Sequence, residues 1–417
     1  MNENKLRMLS IDDRVLVIND LKHTMFSLPK SGLKKMKHND LVDISDKLSY
    51  ENYSNIFEIR TVEDININVL YIMMSNKCNF KCNFCSYGCN DESNKAEAID
   101  FASDYKRFIK FIENINPRKI IFTGGEPLLN SSIYNYINLS KLYSNALIVL
   151  QTNGYFLDRI DHRLFDLIDC VEISTSHYEI GKLSSILNIL IKNNVKTYAT
   201  FVFNNNYNKL IDVIDLCINL EIELKINFVS GFGSALYNGI EVCDGETKLS
   251  ILYLIAKYLL TKKGNIKVLE NNFRNPMNFY IPCSACGRGL TIFPDGSLYP
   301  CHSLKDHSYY LGNINENSAE LVKYKYFELL SEDWYKSKFK VFENIRCKKC
   351  KYKEICGGYC IAKRNEENFL DCSMRKFWVD LNVYFDIRSN NFYNLLETFI
   401  ILYNQKYNSN YENMERG

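Results

Sequence analysis

The stretch CNFKCNFC, residues 78–85, decides how this chain is interpreted, because it places three cysteines on one short loop. An apolar run from Val69 to Met74 precedes it and predicts a buried β-strand. Thiolates at spacings of three and two residues can bind three irons of a four-iron cluster and leave the fourth iron without a protein ligand. Zinc is the alternative, with Cys89 as its fourth ligand. The predicted ligands are Cys78, Cys82 and Cys85.

This cysteine pattern after a first strand resembles the signature of the radical S-adenosylmethionine (SAM) superfamily. The resemblance implies a 4Fe-4S cluster whose open iron binds the amino and carboxylate groups of SAM. It also implies an electron donor such as flavodoxin or ferredoxin. One electron then cleaves the sulfonium, and the resulting 5'-deoxyadenosyl radical abstracts hydrogen from an unactivated C–H bond.

Composition limits what can surround this loop. The 417 residues favour two or three domains, and 46% of them are hydrophobic, enough for a large core. The 51 basic and 49 acidic residues nearly cancel, which argues against a nucleic-acid or membrane-surface partner. No stretch has the character of a signal peptide or a membrane span, so a cytoplasmic protein is expected. In that reducing compartment, 15 cysteines favour metal ligation over disulfides.

Strands and helices alternate from about residue 68 to residue 230, within a predicted barrel domain of residues 68–275. Apolar runs predict six strands, at residues 69–74, 119–122, 146–151, 170–175, 196–202 and 224–229. Helical patterns fill the intervals, for example at residues 96–114 and 182–193. The predicted fold class is therefore α/β, with a partial (β/α)6 barrel of radical SAM type. Functional residues are expected at the C-terminal ends of its strands.

The segment TGGEP, residues 123–127, directly follows the second predicted strand. Gly124 and Gly125 permit close backbone approach, and Glu126 offers a carboxylate at the barrel mouth. An ordinary turn is the alternative interpretation. The segment resembles the superfamily's Gly-Gly-Glu-Pro motif, which implies contact with the SAM amino group.

Polar residues also follow the third and fourth predicted strands, at QTNG (151–154) and STSH (174–177). The first resembles a Thr-Asn-Gly stretch that gives polar support to the site. Ser174 matches the serine of a Ser-x-Asp-Gly motif that helps bind SAM, whereas Ser176 and His177 depart from it. No clear arginine follows to pair with the SAM carboxylate, and Lys182 is the only cation nearby in the sequence. Phe84 is expected to pack on the adenine, with plain core packing as the alternative.

Cysteines return at high density in residues 276–380. Apolar alternation around Asp295-Gly296 predicts a β-hairpin that brings Cys301 back toward Cys286. The order of cysteines resembles the SPASM domain of peptide- and protein-modifying radical SAM enzymes, which implies two auxiliary 4Fe-4S clusters. A zinc ribbon at Cys347 and Cys350 is the alternative. The resemblance implies one ligand set of Cys283, Cys286, Cys301 and Cys360 and another of Cys347, Cys350, Cys356 and Cys372.

Two assignments near the first auxiliary set stay open. If Cys283 is only a neighbour, that cluster has an open iron that can bind a substrate thiolate. His302 follows Cys301, where sulfatase maturases carry an aspartate base, and it is the candidate catalytic base. Its alternative role is a hydrogen bond to a cluster or to the backbone.

The ends of the chain are predicted to be separate units. Residues 1–67 form a small α/β module with strands at residues 14–20, 23–29 and 55–60 and helices at residues 31–36 and 40–48. The resemblance implies that such a module binds the leader of a precursor peptide, and a cap on the barrel is the alternative. Residues 381–417 are expected to form a structural helical tail.

The predicted function is a radical SAM/SPASM maturase of a ribosomally made precursor peptide, which forms a thioether or carbon-carbon crosslink. One alternative is a protein-oxidising enzyme of the sulfatase-maturase kind. An alternative of another class is a metal-binding scaffold without catalysis. Two features favour the peptide maturase over a sulfatase maturase. They are the 77 residues before Cys78 and the histidine at position 302.

Overall fold

The computed structural model describes most of the chain. The described residues are 6–19, 24–47, 59–88, 105–274, 283–338, 347–353, 356, 360–363, 370–385 and 391–408. Two sheets and thirteen α-helices are found within these ranges.

The first sheet lies in the N-terminal module and has three antiparallel strands in the order β1-β2-β3. These strands are β1 (Leu6–Ile11), β2 (Arg14–Asn19) and β3 (Thr24–Pro29). Strands β2 and β3 were predicted, but β1 was missed because Arg7 and Ser10 interrupt its short apolar pattern. Two helices follow, α1 (Lys30–Leu33) and α2 (His38–Lys47). Of the strand predicted at 55–60, residues 55–58 lie outside the described residues and 59–60 are not in a strand.

The second sheet contains six consecutive parallel strands that match the six predicted strands. They are β4 (Val69–Met73), β5 (Lys119–Thr123), β6 (Leu147–Thr152), β7 (Cys170–Ser174), β8 (Thr197–Phe203) and β9 (Glu223–Phe228). Each strand is rich in β-branched and aromatic residues, which suits a sheet that is covered by helices on one face. All six strands end at the same edge, where the cysteine loop begins.

Helices of the connections cover the outer face of this sheet. They are α3 (Tyr105–Ile115), α4 (Ile133–Tyr143), α5 (Arg163–Leu167), α6 (Ile180–Lys192), α7 (Tyr207–Leu220), α8 (Ser234–Tyr237) and α9 (Gly245–Leu260). Their apolar sides and the sheet form one large core, in which Phe108, Tyr136, Phe122 and Phe201 are almost fully buried. Residues 96–104 of the helix predicted at 96–114 lie outside the described residues.

The predicted hairpin forms, and it extends the barrel sheet to nine strands. Its strands are β10 (Gly289–Ile292) and β11 (Ser297–Tyr299), and β12 (Gly312–Asn313) follows. Strand β10 pairs in parallel with β4, the strand that leads into the cysteine loop. This pairing was not predicted, because a contact between strands more than 200 residues apart leaves no local pattern in the sequence.

The remaining helices are α10 (Ala319–Ser331), α11 (Asp333–Ser337), α12 (Cys372–Tyr384) and α13 (Phe392–Tyr403). Helix α13 packs on α9, and Phe377 and Phe399 are fully buried where α12 and α13 meet. Helix α12 also contacts β2 and β3, so that the N-terminal sheet packs against the C-terminal part of the chain. Among the described residues, no helix has the length and apolar character of a membrane-spanning segment.

Candidate active site

The cysteine loop lines a cavity of about 520 Å³ at the C-terminal edge of the barrel strands. Cys78, Cys82 and Cys85 are half-buried and all three face this cavity. Other lining residues come from the ends of five strands, namely Thr123, Thr152, Ser174, Val202 and Asn227. The loop and the barrel mouth therefore enclose one common space.

The three thiols also interact with each other. Burial, and then the neighbouring Cys85 and Cys78, raise the pKa of Cys82 to about 12. Burial likewise raises the pKa of Cys78. Thiols in this state need a positive partner to ionise, and bound iron supplies one. The donor set therefore fits an iron-sulfur cluster.

Within the described residues, no three Cys, His, Asp or Glu side chains converge in the way that a single metal ion requires. A cluster, by contrast, binds its thiolates on different irons. Cys89, the fourth ligand of the zinc alternative, lies outside the described residues.

Gly124 and Gly125 allow the second strand end to pack tightly against the segment that leads into the loop. A Cβ atom on Gly124 would lie 2.5 Å from the carbonyl oxygen of Ser75, and one on Gly125 would lie 2.1 Å from that of Lys77. The amide of Gly125 donates to the Ser75 oxygen at 2.6 Å. Both glycines line the cavity. Glycine is required here because no side chain fits between the two segments.

Glu126 is fully buried and points toward the C-terminal end of β6, the third barrel strand. Its Oε1 accepts hydrogen bonds from Thr152 Oγ1 at 2.6 Å and from the amide of Leu128 at 3.1 Å. Its Oε2 accepts from the amide of Asn153 at 2.8 Å. Burial raises the pKa of this carboxyl, and the three donors oppose that effect. Glu126 does not line the cavity, so its contacts join two strand ends.

Asn153 connects the third strand end to the cysteine loop. Its Nδ2 donates to Asn79 Oδ1 at 2.8 Å and lies 3.8 Å from Cys78 Sγ. The predicted polar support from the Thr-Asn-Gly stretch thus consists of Thr152 bound to Glu126 and Asn153 bound to the loop.

His177 contacts three residues of the cysteine loop, and its importance was missed at the sequence level. Its ring stacks on Phe84 at 5.7 Å and on Phe80 at 5.0 Å, with interplanar angles of 9° and 19°. Its Nε2 lies 3.5 Å from Cys82 Sγ. One feature of the sequence could have indicated its importance. His177 lies at the end of the fourth barrel strand, where the sequence departs from the Ser-x-Asp-Gly motif.

The serines after the fourth strand differ in their contacts. Ser174 lines the cavity, as its predicted SAM-binding role requires. The Ser176 hydroxyl instead accepts from the amide of Val202 at 2.7 Å, so it fixes the fourth strand end to the fifth.

A lysine that no sequence motif indicated faces the cavity. Lys182 is exposed on helix α6 and does not line the cavity, whereas Lys225 on β9 does. Lys225 escaped notice because strand alternation alone does not specify which side of the strand faces the lumen.

Three cysteines of the first auxiliary set, Cys283, Cys286 and Cys301, lie in the surroundings of two buried tyrosines. Cys286 is buried, and Cys283 helps to raise its pKa to about 12 after burial itself. Burial raises the pKa of Cys301, and the neighbouring Cys360 adds to this effect. The hydroxyls of Tyr335 and Tyr326 hold this region by donating to the carbonyl oxygens of Ala285 at 2.7 Å and Gly289 at 3.0 Å.

The second auxiliary set lies against helix α12 and the N-terminal sheet. Cys350 and Cys356 pack on a small core that contains Tyr352, Val379 and Ile18. The amide of Cys350 donates to the carbonyl oxygen of Cys347 at 2.9 Å, and Cys372 is the first residue of α12. Several residues between these cysteines lie outside the described ranges.

His302 lies between the cavity and the first auxiliary set. Its ring contacts Tyr87, which lines the cavity, at 5.0 Å and Tyr71 at 6.4 Å. Its Nδ1 lies 3.9 Å from Cys301 Sγ. Burial, and then the charge of Lys305, lower the pKa of His302 to about 4, which favours the neutral imidazole.

The other cysteines are placed away from these sites. Cys170 and Cys217 are buried among apolar side chains. Cys243 is half-buried near the start of α9.

Comparison with known proteins agrees with this arrangement. Residues 72–229 match the family model described as Radical SAM superfamily. Residues 283–357 match the model described as SPASM, an iron-sulfur cluster-binding domain. The chain is a radical SAM enzyme. It belongs to those members that carry a C-terminal SPASM domain, and 4Fe-4S clusters and SAM are its cofactors.

Similar sequences include enzymes that act on different substrates. A GTP 3',8-cyclase of Clostridium perfringens is 25% identical over 265 residues, which cover 56% of this chain and 80% of the relative. The radical SAM cyclopropyl synthase TigE of Paramaledivibacter caminithermalis is 24% identical over 342 residues, which cover 71% of this chain and 68% of the relative.

Similar solved structures share the fold along most of the chain. The native anSMEcpe structure with bound AdoMet aligns with a TM-score of 0.54 at 17% identity, covering 83% of this chain and 99% of that chain. The structure of Streptococcus suis SuiB bound to S-adenosylmethionine aligns with a TM-score of 0.52 at 15% identity, covering 87% of this chain and 97% of that chain.

Proposed function

We propose that this protein is a radical SAM/SPASM maturase that modifies a residue of a ribosomally made precursor peptide. The main support is the cavity that joins the three-cysteine loop to the barrel mouth, together with the cysteine-rich domain attached to the same sheet. The folds of anSMEcpe and SuiB and the TigE relative support maturase-type chemistry.

Three sets of cysteines would hold the clusters. Cys78, Cys82 and Cys85 would leave one iron open for SAM. Cys283, Cys286, Cys301 and Cys360 would hold the first auxiliary cluster, in the crossed arrangement that the resemblance to the SPASM domain implies. Cys347, Cys350, Cys356 and Cys372 would hold the second. When bound, the SAM cluster supplies the electron that converts SAM to methionine and a 5'-deoxyadenosyl radical.

The cavity residues would bind and orient SAM and the target residue. Gly124, Gly125 and Ser174 line the wall where SAM is expected, and Phe84 offers an aromatic face for the adenine. The ammonium of Lys225 would attract a carboxylate of SAM or of the substrate.

His302 would accept the proton released when the new bond forms, because its neutral imidazole lies between the cavity and Cys301. Formation of a thioether or carbon-carbon crosslink would require the peptide to give up one hydrogen atom, which would leave as part of 5'-deoxyadenosine, one proton, which His302 would accept, and one electron. The cysteines of the auxiliary sets would hold the clusters that supply an acceptor for this electron. The peptide thus loses two hydrogen atoms in total. A flavodoxin or ferredoxin would supply the first electron.

The N-terminal sheet would bind the leader of the precursor. Strand β1 lies at one edge of the three-stranded sheet, where an extended peptide can add as a fourth strand. One face of this sheet packs near Cys350 and Cys356. This packing fixes the position of the sheet relative to the catalytic part of the chain.

A peptide assay tests this proposal. The reconstituted protein is incubated anaerobically with SAM, dithionite and the peptide encoded by a neighbouring small reading frame, and the peptide is analysed by mass spectrometry. We expect a loss of two hydrogen atoms together with release of 5'-deoxyadenosine. The Cys82→Ala variant should lose both and keep its auxiliary iron, whereas Cys243→Ala should lose neither.

Other outcomes would reject the proposal in defined ways. Oxidation of a sulfatase-type cysteine or serine to an aldehyde would favour the protein-oxidising alternative. Turnover of GTP with no change to any peptide would favour chemistry like that of the cyclase relatives. Absence of 5'-deoxyadenosine from fully loaded protein would contradict the assignment of the SAM cluster.

A further inference from the structure

We propose that Glu172, whose carboxylate faces the barrel cavity, binds a basic side chain of the substrate peptide. This inference rests on the proposed function, since it takes the substrate in the cavity to be a peptide. It adds a substrate requirement, namely a lysine or arginine close in the peptide to the residue that is modified.

The position of Glu172 on its strand places the carboxylate in the space beneath the expected SAM site. Glu172 lies on β7, two residues before Ser174, and both residues line the cavity. Because side chains alternate along a strand, these two face the same side, with Glu172 deeper in the barrel. A group bound at Glu172 would therefore lie farther inside the barrel than SAM bound at Ser174.

The carboxylate is held at one oxygen and is available at the other. Gln151 Nε2 donates to Glu172 Oε2 at 2.7 Å, and strand pairing sets these two residues side by side on β6 and β7. Among the residues that the structure describes, none donates a hydrogen bond to Glu172 Oε1, and no cationic nitrogen lies within 4.0 Å of this carboxylate. A carboxylate in this state readily accepts from a cationic donor.

The charges that face the cavity also favour a ligand with a cationic group. Lys225 lines the same cavity, yet it forms no ion pair with Glu172. Two opposite charges in one cavity that do not pair with each other can each bind a ligand group of the opposite sign. Lys225 would thus bind a carboxylate, as proposed above, and Glu172 would bind a cation.

The bound cation would lie near the reacting part of the peptide. Burial, and then the charge of Glu172, raise the pKa of Tyr71. The ring centroid of Tyr71 lies 6.4 Å from that of His302, the proposed proton acceptor. The charge of Glu172 thus acts on the side of the site where His302 lies, which is where the target residue is expected.

SAM is the other ligand that a carboxylate in this cavity could bind, through its amino group or its ribose hydroxyls. The Gly-Gly-Glu-Pro segment is the expected site of the amino group, and Glu172 lies deeper than Ser174. A test must therefore measure the binding of SAM separately from the use of the peptide.

The test is a double-mutant cycle between the protein and the peptide. The probe is the peptide encoded by a neighbouring small reading frame, with variants in which each lysine or arginine is changed to glutamine, one at a time. Wild type and Glu172→Gln are compared as reconstituted full-length proteins. Glu179→Gln is the matched control, because Glu179 is exposed before α6 and does not line the cavity. Mass spectrometry gives kcat/KM for each peptide, and a titration gives the affinity for SAM.

We expect Glu172→Gln to bind SAM as the wild type does and to lose about ten-fold or more in kcat/KM with the natural peptide. A hydrogen bond to a charged group commonly has an effect of this size. One basic residue of the peptide should give the same loss with the wild-type protein when it is changed to glutamine. That peptide should lose little more with Glu172→Gln, because the interaction is already absent. Glu179→Gln should match the wild type with every peptide.

Several results would overturn the inference while the wild-type protein still modifies the peptide. They are an unchanged kcat/KM in Glu172→Gln, losses that multiply independently for every basic residue, and a natural peptide without lysine or arginine. Weaker binding of SAM by Glu172→Gln would also do so, because it would assign the carboxylate to SAM. If the wild-type protein modifies no peptide, the proposed function itself is rejected, and this inference is rejected with it.

Discussion

The carboxylate of Glu126 accepts the backbone N–H of Asn153 at 2.8 Å and so joins the residues that follow two neighbouring barrel strands. Asn153 in turn donates to Asn79 within the cysteine loop at 2.8 Å. A short chain of hydrogen bonds therefore connects the Gly-Gly-Glu-Pro segment to the predicted cluster ligands. Glu126 is fully buried, so the effects of this chain on stability and binding should be large.

Replacing Glu126 by Gln should reduce both stability and SAM binding. The amide nitrogen of Gln would face a donor that Glu126 now satisfies, and a buried donor without a partner costs about 1–3 kcal/mol. Thermal unfolding and SAM titration of the reconstituted protein measure the two effects. Exposed Glu63 provides the matched control, Glu63→Gln. Wild-type stability of Glu126→Gln would contradict the structural role described above.

Gly233 and Gly239 offer a test of how the cysteine loop is held on its other side. Both have positive φ angles, of 56° and 61°. A Cβ atom on Gly233 would lie 2.4 Å from the carbonyl oxygen of Cys85, whereas one on Gly239 would meet no atom within 4 Å. The amide of Ser234 donates to the same Cys85 oxygen at 2.8 Å.

We therefore expect Gly233→Ala to lose iron from the SAM cluster and Gly239→Ala to keep it. The strain of a positive φ is common to both variants, so the difference isolates the contact with the loop. Iron and sulfide analysis after anaerobic reconstitution measures it. Equal iron contents in the two variants would argue against a close contact between residue 233 and the loop.

Replacing Lys225 by Gln should weaken the binding of a carboxylate in the cavity by about ten-fold or more. A hydrogen bond to a charged group contributes about 1.5–3 kcal/mol, and Lys225 faces the cavity. Titration with SAM and, separately, with peptide identifies which ligand carries the carboxylate. Lys182→Gln, on the exposed side of α6, should bind both normally. If Lys225→Gln binds SAM and peptide as the wild type does, its charge has no part in recognition.

Asp244 should stabilise helix α9 in a pH-dependent way. Its Oδ1 accepts the amide of Thr247 at 2.8 Å, and this bond lowers the pKa of the carboxyl. Because the folded-state pKa lies below the unfolded-state value, the stabilisation is complete above about pH 4 and is lost as the pH falls through the folded-state pKa.

At neutral pH, Asp244→Ala should therefore reduce the free energy of unfolding by about 1 kcal/mol. The difference from the wild type should stay constant between about pH 6 and about pH 8, because Asp244 is ionised throughout that range. Urea unfolding at several pH values tests this. Asp244→Asn, which keeps the capping oxygen, should lose less stability at every pH, and a larger loss than in Asp244→Ala would be inconsistent with capping.

Local patterns in the sequence were sufficient for the repeating part of the fold. The six barrel strands, the hairpin around Asp295-Gly296 and a helix in the C-terminal tail, α13, were predicted because apolar periodicity and turn residues act over short distances. Strand β1 was missed, since a short edge strand with polar residues has a weak pattern. The ligand assignments of the cysteines remain predictions supported by their positions.

The sequence by itself determined the class of chemistry, because the spacing of Cys78, Cys82 and Cys85 is a local property of one loop. Only the tertiary structure decided which distant residues meet that loop. His177 enters between its aromatic residues, Lys225 faces the cavity in place of Lys182, and β10 pairs with β4 across more than 200 residues. Such contacts depend on how strands align and which way their side chains point, and many different pairings are compatible with the same local pattern.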